Sequence, residues 1–331
     1  MQPMAAIRLS FCITTRNRAK VIGTTLENLL EQCSSEVEVV VVDGASTDDS
    51  VAVITEIASR HPQLRLITPK ENSGLDADFD KAVQAARGTY CWLFSDDDLI
   101  VPGAVARVLQ ACAEDPWVVI TNVSVHNADF TEVELERRLP AEGRERYGPD
   151  DCIEFFRDCA DHLTFIGAVV VKRDFWLSRE RKSYYGTEFI HCGVLFQAPI
   201  PGTMIVLREP LVKIRHGVGN WLTRWVDVWM YKWPKIVWSF TWIDESIRRE
   251  VHEAEPWTNW QTLFWARMRG YYDFGQFRKV VAPRATRVSQ LWKPLTLAVL
   301  PKWLLVHFRQ GAAMDRLRAW FVDRMGNWTG R

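Results

Sequence analysis

An α/β fold is predicted for this chain: an open, mostly parallel sheet flanked by helices, followed by a mainly helical C-terminal region. Three observations predict it. Strand-like and helix-like patterns alternate from residue 7 to about residue 125, the rhythm of a parallel sheet covered by helices. The run at residues 37–42 is β-branched almost throughout, as befits a strand buried on both faces. Composition then changes near Gly219. Residues 1–220 hold 23 Lys and Arg against 32 Asp and Glu, residues 221–331 hold 18 against 9, and 13 of the 16 tryptophans follow residue 220. This change sets two regions, 1–219 and 220–331.

The elements follow in order. Residues 7–14 read as a buried strand, and residues 19–32 carry Val21, Ile22, Leu26, Leu29 and Leu30 at helical spacing. After the strand at 37–42, Ser46 or Thr47 is placed to cap a helix with Asp48 and Asp49 in its first turn and Val51, Val53, Ile54 and Ile57 along its face. Residues 64–67 form a third strand, 77–86 a third helix and 90–94 a fourth strand. Pro102 then takes the first position of another helix. Residues 117–125 read as a strand, and 127–149, polar and weakly periodic, as a surface loop. Residues 152–160 read as a helix, 165–171 as a strand, 192–196 as the opening of a helix and 211–215 as a last strand.

With 331 residues, 47% of them apolar, the chain is long enough for a sizeable core. Its seven cysteines are scattered without a Cys-x-x-Cys pair, which argues against a zinc site or a disulfide framework and for buried thiols in a reducing cytosol. A strand-like run begins at Ile7, so no signal peptide is expected, and no apolar stretch is long enough to predict a spanning helix.

In parallel sheets ligands bind beyond the carboxyl ends of the strands, and carboxylates stand at two such ends. Asp43 closes the second strand, where it could accept hydrogen bonds from a base or ribose or serve as an ordinary turn residue before Gly44. Ser95, Asp96, Asp97 and Asp98 follow the fourth strand. Consecutive carboxylates repel one another, and either they cap the helix expected from Pro102 or they hold Mg²⁺ or Mn²⁺, the counter-ions that hard oxygen ligands select and often share with substrate phosphates.

Residues 9–18 (LSFCITTRNR), 39–50 (VVVVDGASTDDS), 72–74 (NSG) and 86–102 (ARGTYCWLFSDDDLIVP) resemble, in order and spacing, the N-terminal half of family 2 glycosyltransferases with the Rossmann-like GT-A fold. Gly74-Leu75-Asp76 and residues 95–98 are similar to the abequosyltransferase-like subgroup that builds bacterial surface polysaccharides. The resemblance implies that Thr15 and Arg16 line a nucleotide pocket, that Asp43 contacts the base and that Asp76 sits near the ribose or diphosphate. It further implies that Asp96 contacts the donor's ribose or sugar and that Asp97 binds a metal, with Asp98 beside it. Ser95 stands where many relatives carry the first Asp of an Asp-x-Asp pair. The implied chemistry is an inverting displacement on a nucleoside-diphosphate sugar. A divalent cation stabilises the leaving diphosphate and a base takes the acceptor proton.

Relatives place that base in a Glu-Asp pair opening a late helix, and the corresponding residues here are 186–193 (GTEFIHCG). His191 falls at the catalytic position, with Glu188 three residues before it; the alternative for His191 is a core residue bonded to backbone. His216, after the last strand, is a candidate metal or phosphate ligand or a polar turn residue. Trp221, Trp225, Trp229 and Trp233 recur every four residues on one helix face, a packing face first and a sugar-stacking or interfacial belt second. From Phe264 onward 13 basic residues face 3 acidic ones, and residues 291–308 mix Leu, Val and Trp with Lys293, Lys302 and His307. Such a segment suits an anionic bilayer surface, or equally a packing helix followed by a solvated basic face. It carries no nucleic-acid-binding pattern, so no nucleic-acid partner is expected.

The sequence therefore predicts a glycosyltransferase requiring Mn²⁺ or Mg²⁺, with a nucleotide-sugar donor and a lipid-linked glycan acceptor. It would be peripheral to the cytoplasmic face of the cell membrane. Two alternatives stand beside it. A sugar-phosphate nucleotidyltransferase would place a glycine-rich phosphate loop after its first strand, where this chain has Thr14-Thr15-Arg16-Asn17-Arg18. A catalytically inactive binding or scaffold protein of the same fold would account for Ser95 and for the missing Glu-Asp pair.

Overall fold

The computed structural model describes residues 6–218 and 224–301. The chain divides into two compact units, Met1–Gly217 and Val218–Arg331.

The first unit runs β1 (Leu9–Thr15), α1 (Ile22–Leu30), β2 (Val37–Asp43), α2 (Ser50–Arg60), β3 (Leu64–Ile67), α3 (Leu75–Ala85), β4 (Tyr90–Phe94), β5 (Leu99–Ile100), α4 (Ala104–Cys112) and β6 (Val118–His126). It continues through β7 (Val133–Leu135), β8 (Arg146–Tyr147), α5 (Cys152–Cys159), β9 (Val169–Lys172), α6 (Arg173–Ser178), α7 (Ile190–Phe196) and β10 (Met204–Arg215). The strands join in the order β3-β2-β1-β4-β9-β6-β10-β5, with β7 on β6 and β8 on β10. The pairs β1–β2, β1–β4, β2–β3 and β6–β10 are parallel. Strand β9 runs antiparallel to both neighbours, so β4 and β6 share one direction across it. The six strands β1, β2, β3, β4, β6 and β10 thus open their carboxyl ends onto a single edge.

Burial explains the strands. Every residue of β1, β2 and β4 is inside, and the β-branched side chains of β2 pack between helix layers. Phe11 stacks on Trp92 with ring centroids 4.9 Å apart, and Phe94 stands edge-on to both rings. Helix α1 buries Ile22, Thr25, Leu26, Leu29 and Leu30, the apolar face its spacing predicts.

The structure corrects several boundaries. Helix α2 starts at Ser50, and Asp48, whose carboxylate accepts from the Ser50 and Ala19 amides, does the work expected of Ser46 or Thr47. Pro102 lies in the turn before α4, which begins only after Gly103 takes φ +82°. Residues 166–168 form one 3₁₀ turn, and the strand expected from 165 begins at Val169. The expected loop at 127–149 contains β7 and β8, both too short and polar to show a period. Strand β10 begins at Met204, ahead of the expected 211–215, and its pairing with β6 slips around Pro210, which breaks the apolar alternation there.

In the second unit the described regular elements are helical: α8 (Trp225–Asp227), a π-type turn Val228–Lys232, α9 (Trp233–Ser239), α10 (Glu245–Val251), α11 (Trp260–Met268), α12 (Phe274–Gln276) and α13 (Trp292–Val299), with short 3₁₀ and π turns among them. Trp225, Trp229 and Trp233 are buried. Trp225 stacks on Tyr271 at 5.3 Å and meets Trp265 at 5.4 Å, the packing face rather than a solvent-facing belt. Trp221 and residues 302–308 lie outside the described residues. Among the described residues no helix is long and apolar enough to cross a membrane.

Candidate functional site

The strand edge is built from three loops that hold one another. In register, Thr15 at the end of β1 lies beside Asp43 at the end of β2. The Asp43 carboxylate accepts from the Ser46 amide (2.8 Å) and hydroxyl (2.5 Å), closing the turn after β2. The Asn17 amide donates to Ser46 Oγ, and the Asn17 side chain accepts from the Thr47 amide, each at 2.8 Å. Thr15 and Asp43 are thereby buried at the floor, while Arg16 is exposed.

Over this floor lies the acidic loop after β4. Arg18, its backbone N–H anchored on Ser50 Oγ at 2.8 Å, sends its guanidinium to Asp96 (Nε to Oδ1, 3.3 Å) and to Asp97. The Ser95 hydroxyl donates to Asp97 at 2.6 Å. Arg215, at the end of β10, ties the loop down from the other side. Its backbone N–H donates to the Asp98 carboxylate (2.7 Å) and its Nε to the Asp97 carbonyl (2.9 Å). Burial, and then repulsion from Asp97, push Asp96 up to about 6 against the pull of Arg18 and the Thr15 hydroxyl. Burial and Asp97 likewise raise Asp98 well above the carboxylate range, although the Arg215 amide opposes them.

The third part comes from α3 and the segment before α7. Helix α3 follows β3, so its first turn lies at the same edge. Buried Asp76 accepts from the backbone N–H groups of Glu188 (2.8 Å) and Ile190 (3.1 Å). Both of its carboxylate oxygens therefore address the protein. Glu188 is half-buried and holds φ +68°, a left-handed conformation uncommon for a side chain of its kind.

His191 points elsewhere. Its ring is buried, Nε2 bonds the Leu163 carbonyl at 2.6 Å, and Nδ1 has no partner. Burial lowers its pKa to about 4, so the ring is neutral. His216 is exposed at the end of β10 with Nδ1 on Glu134 (2.6 Å). The structure thus brings Thr15, Asp43, Asp76, Asp96, Asp97, Asp98 and Glu188 to one edge. His191 sits in the core, and His216 leans on β7.

The donor set suits a hard divalent cation only in part. Asp96 and Asp97 offer adjacent carboxylates whose repulsion a cation would relieve, whereas Asp98 is engaged by backbone. Among the described residues no group of three or more His, Cys, Asp or Glu converges on one point. Two carboxylates with the remaining positions filled by phosphate oxygens and water is a mode that Mg²⁺ and Mn²⁺ accept. The sequence does not single out Arg18 or Arg215. Arg18 lies in the run at residues 9–18, but nothing local says which of its two arginines turns inward.

Residues 10–170 match the family model Glycosyl transferase family 2. The chain is 24% identical over 227 residues to abequosyltransferase RfbV of Salmonella typhimurium, covering 62% of this chain and 66% of that one. It is 31% identical over 121 residues to chondroitin synthase of Escherichia coli, covering 37% of this chain and 18% of that one. The chain thus spans between about a fifth and two thirds of the length of these curated relatives. Among solved structures, S. aureus TarS 1–349 in complex with UDP-GlcNAc superposes with a TM-score of 0.53 at 14% identity, over 96% of this chain and 89% of that one. At that identity the likeness is one of fold, and it agrees with the GT-A architecture that the strand order and strand-edge acids imply.

Proposed function

We propose, for a chain that belongs to glycosyl transferase family 2 through its residues 10–170, that it moves a sugar from a nucleoside-diphosphate sugar to a hydroxyl of a glycan, with inversion, in polysaccharide synthesis. The observation that carries this reading is the meeting of Asp96 and Asp97 with Arg18 at the carboxyl edge of the parallel strands that Asp43 also closes, with Glu188 held at the same edge by Asp76.

In this reading the Thr15–Asp43 floor receives the nucleoside. Asp96 and Asp97 would hold Mn²⁺ or Mg²⁺, which would stabilise the charge on the leaving diphosphate. Arg18 exchanges its carboxylate partners for diphosphate oxygens and adds a second positive charge. The acceptor oxygen attacks the anomeric carbon as the bond to the diphosphate breaks, and its proton passes to the Glu188 carboxylate. His191 supports the core, since a ring buried on the Leu163 carbonyl has no path to an acceptor hydroxyl. His216 stays outside the metal set, held by Glu134.

A lipid-linked acceptor at the inner face of the cell membrane completes the reading. Helix α13 buries Pro294, Leu297 and Ala298 but exposes Trp292 (61%), Leu295 (38%) and Val299 (55%). From Phe274 to Pro301 there are five basic residues and no acidic one. An apolar ridge in a basic setting fits an anionic bilayer surface.

The test is a thermal-shift panel of UDP, GDP, CDP and dTDP, with and without Mn²⁺, on wild type and Asp97→Asn. One diphosphate at a hundredfold excess over its dissociation constant should stabilise the wild type by about 2.7 kcal/mol. That shift should need Mn²⁺ and vanish in Asp97→Asn. No shift with any diphosphate would refute the donor site.

A further inference from the structure

Helix α3 buries three carboxylates, Asp76, Asp78 and Asp80, and the reaction as described does not use Asp80, one turn beyond Asp76. Its four contacts come from its own helix and from the chain that leads to Glu188. Oδ1 accepts from Trp176 Nε1 at 2.9 Å and pairs with Arg181 Nε at 2.8 Å. Oδ2 accepts from Tyr185 Oη at 2.6 Å and Gln84 Nε2 at 2.8 Å. Arg181 in turn donates through Nη1 to the carbonyls of Leu177 and Arg179, at 2.7 and 2.8 Å.

Residues 179–189 need such ties. Their only regular structure is the 3₁₀ turn Lys182–Tyr184, and two residues close together, Gly186 (φ +83°) and Glu188 (φ +68°), take left-handed backbone. Such a conformation at a glutamate persists only where the surroundings over-determine it. Asp80 holds the segment at Arg181 and Tyr185, and Asp76 holds it at Glu188 and Ile190. The two aspartates are four residues apart and so lie on one face of α3.

We propose that Asp76 and Asp80 are positioning residues that form a two-point clamp and act on the reaction through Glu188. The inference rests on the reading of Glu188 as the base. It also reassigns Asp76, whose resemblance-based role at the donor's ribose or diphosphate gives way to holding the catalytic turn. A base misplaced by about 1 Å can cost on the order of a hundredfold in rate. Loss of either clamp point should therefore appear in kcat and leave donor binding alone.

The experiment is a double-mutant cycle on the full chain. Nucleoside diphosphate release is measured from UDP-, GDP-, CDP- and dTDP-sugars, with water as acceptor. Asp80→Asn should lower kcat by about tenfold to a hundredfold with the donor KM within about twofold. In a Glu188→Gln background the same change should alter kcat by less than about twofold, because partners acting through one group are not additive. Tyr185→Phe, which removes one clamp bond and keeps the packing, should give a smaller kcat loss of the same kind. A raised donor KM, or a loss that multiplies with Glu188→Gln, would overturn the proposal. Wild-type turnover in Glu188→Gln would sink the base reading instead. Amide hydrogen exchange then tests the clamp by itself: Asp76→Asn should speed exchange at Glu188 and Ile190 about tenfold or more, and unchanged exchange would refute the clamp.

Discussion

Replacing His191 by Gln separates a core role from a catalytic one. The ring is buried, donates from Nε2 to the Leu163 carbonyl and keeps an unpartnered Nδ1, so protonating it in place means burying a charge. Burial accordingly lowers its pKa from 6.5 to about 4. Below pH 6.5 the unfolded chain binds this proton and the folded chain does not. The associated stability is therefore full above pH 6.5 and is lost as pH falls toward 4, a change of about 3 kcal/mol for that depression. Gln has an N–H for the Leu163 carbonyl but does not titrate. Urea unfolding between pH 4 and 7.5 should show the variant losing about 3 kcal/mol less than wild type over the acid limb. The variant itself should be about 1–2 kcal/mol weaker at pH 7.5 from imperfect packing and hydrogen-bond geometry. His162, buried on the Thr121 carbonyl and lowered to about 3, leaves both proteins with a residual acid limb. Turnover of His191→Gln should stay within about threefold of wild type, whereas Glu188→Gln should lose about 10²–10⁴. An unchanged acid limb, or a turnover loss as deep as that of Glu188→Gln, would refute the assignment.

Two further outcomes follow from geometry. A Cβ on Gly88 would stand 2.8 Å from the Ser10 backbone nitrogen and 2.9 Å from the Leu9 carbonyl carbon, so Gly88→Ala should cost about 1–3 kcal/mol in chemical denaturation while the nucleotide thermal shifts persist. The double change Trp292→Ser and Val299→Ser should weaken co-sedimentation with vesicles of phosphatidylcholine and phosphatidylglycerol by about tenfold or more, since each buried large apolar side chain is worth about 1.5–3 kcal/mol. Equal binding by the double variant would remove α13 from the membrane reading.

Where one local period governs an element, the sequence was sufficient. The strands at 64–67 and 90–94 agree residue for residue with β3 and β4, and α1 and α5 fall where their apolar spacing puts them. It failed where tertiary pairing decides. Residues 166–168 look like strand because they are apolar, yet they turn so that β9 can enter antiparallel between β4 and β6. The short edge strands β5, β7 and β8 carry no pattern of their own and exist because a longer strand offers them a free edge. Asp43 and the acidic loop were legible as site candidates because a carboxylate after a buried parallel strand has few places to go. Whether Arg16 or Arg18 turns inward depends on the left-handed Asn17 between them (φ +55°) and on a bond to Ser50, neither of which shows in composition or period.

The same contrast explains why the proposed base, Glu188, is the hardest residue to find from sequence. The half of the edge proposed to take the nucleotide is assembled from turns that immediately follow strands, so its residues keep fixed offsets from recognisable apolar runs, and the family match ends at residue 170. Glu188 lies beyond that limit, on a segment whose shape is set by bonds to Asp76 and Asp80 more than a hundred residues earlier. A segment positioned from a distance can vary its own residues as long as the clamp and the turn survive. On this argument the spacing of Glu188 from the start of α7 is a poor guide to its role, and the pair of aspartates one turn apart on α3 is a better one. A side chain that aligns with a catalytic position by helix register alone, as the His191 imidazole does in place of an aspartate, can face the core when the turn before the helix is rewound by left-handed residues such as Gly186 and Glu188.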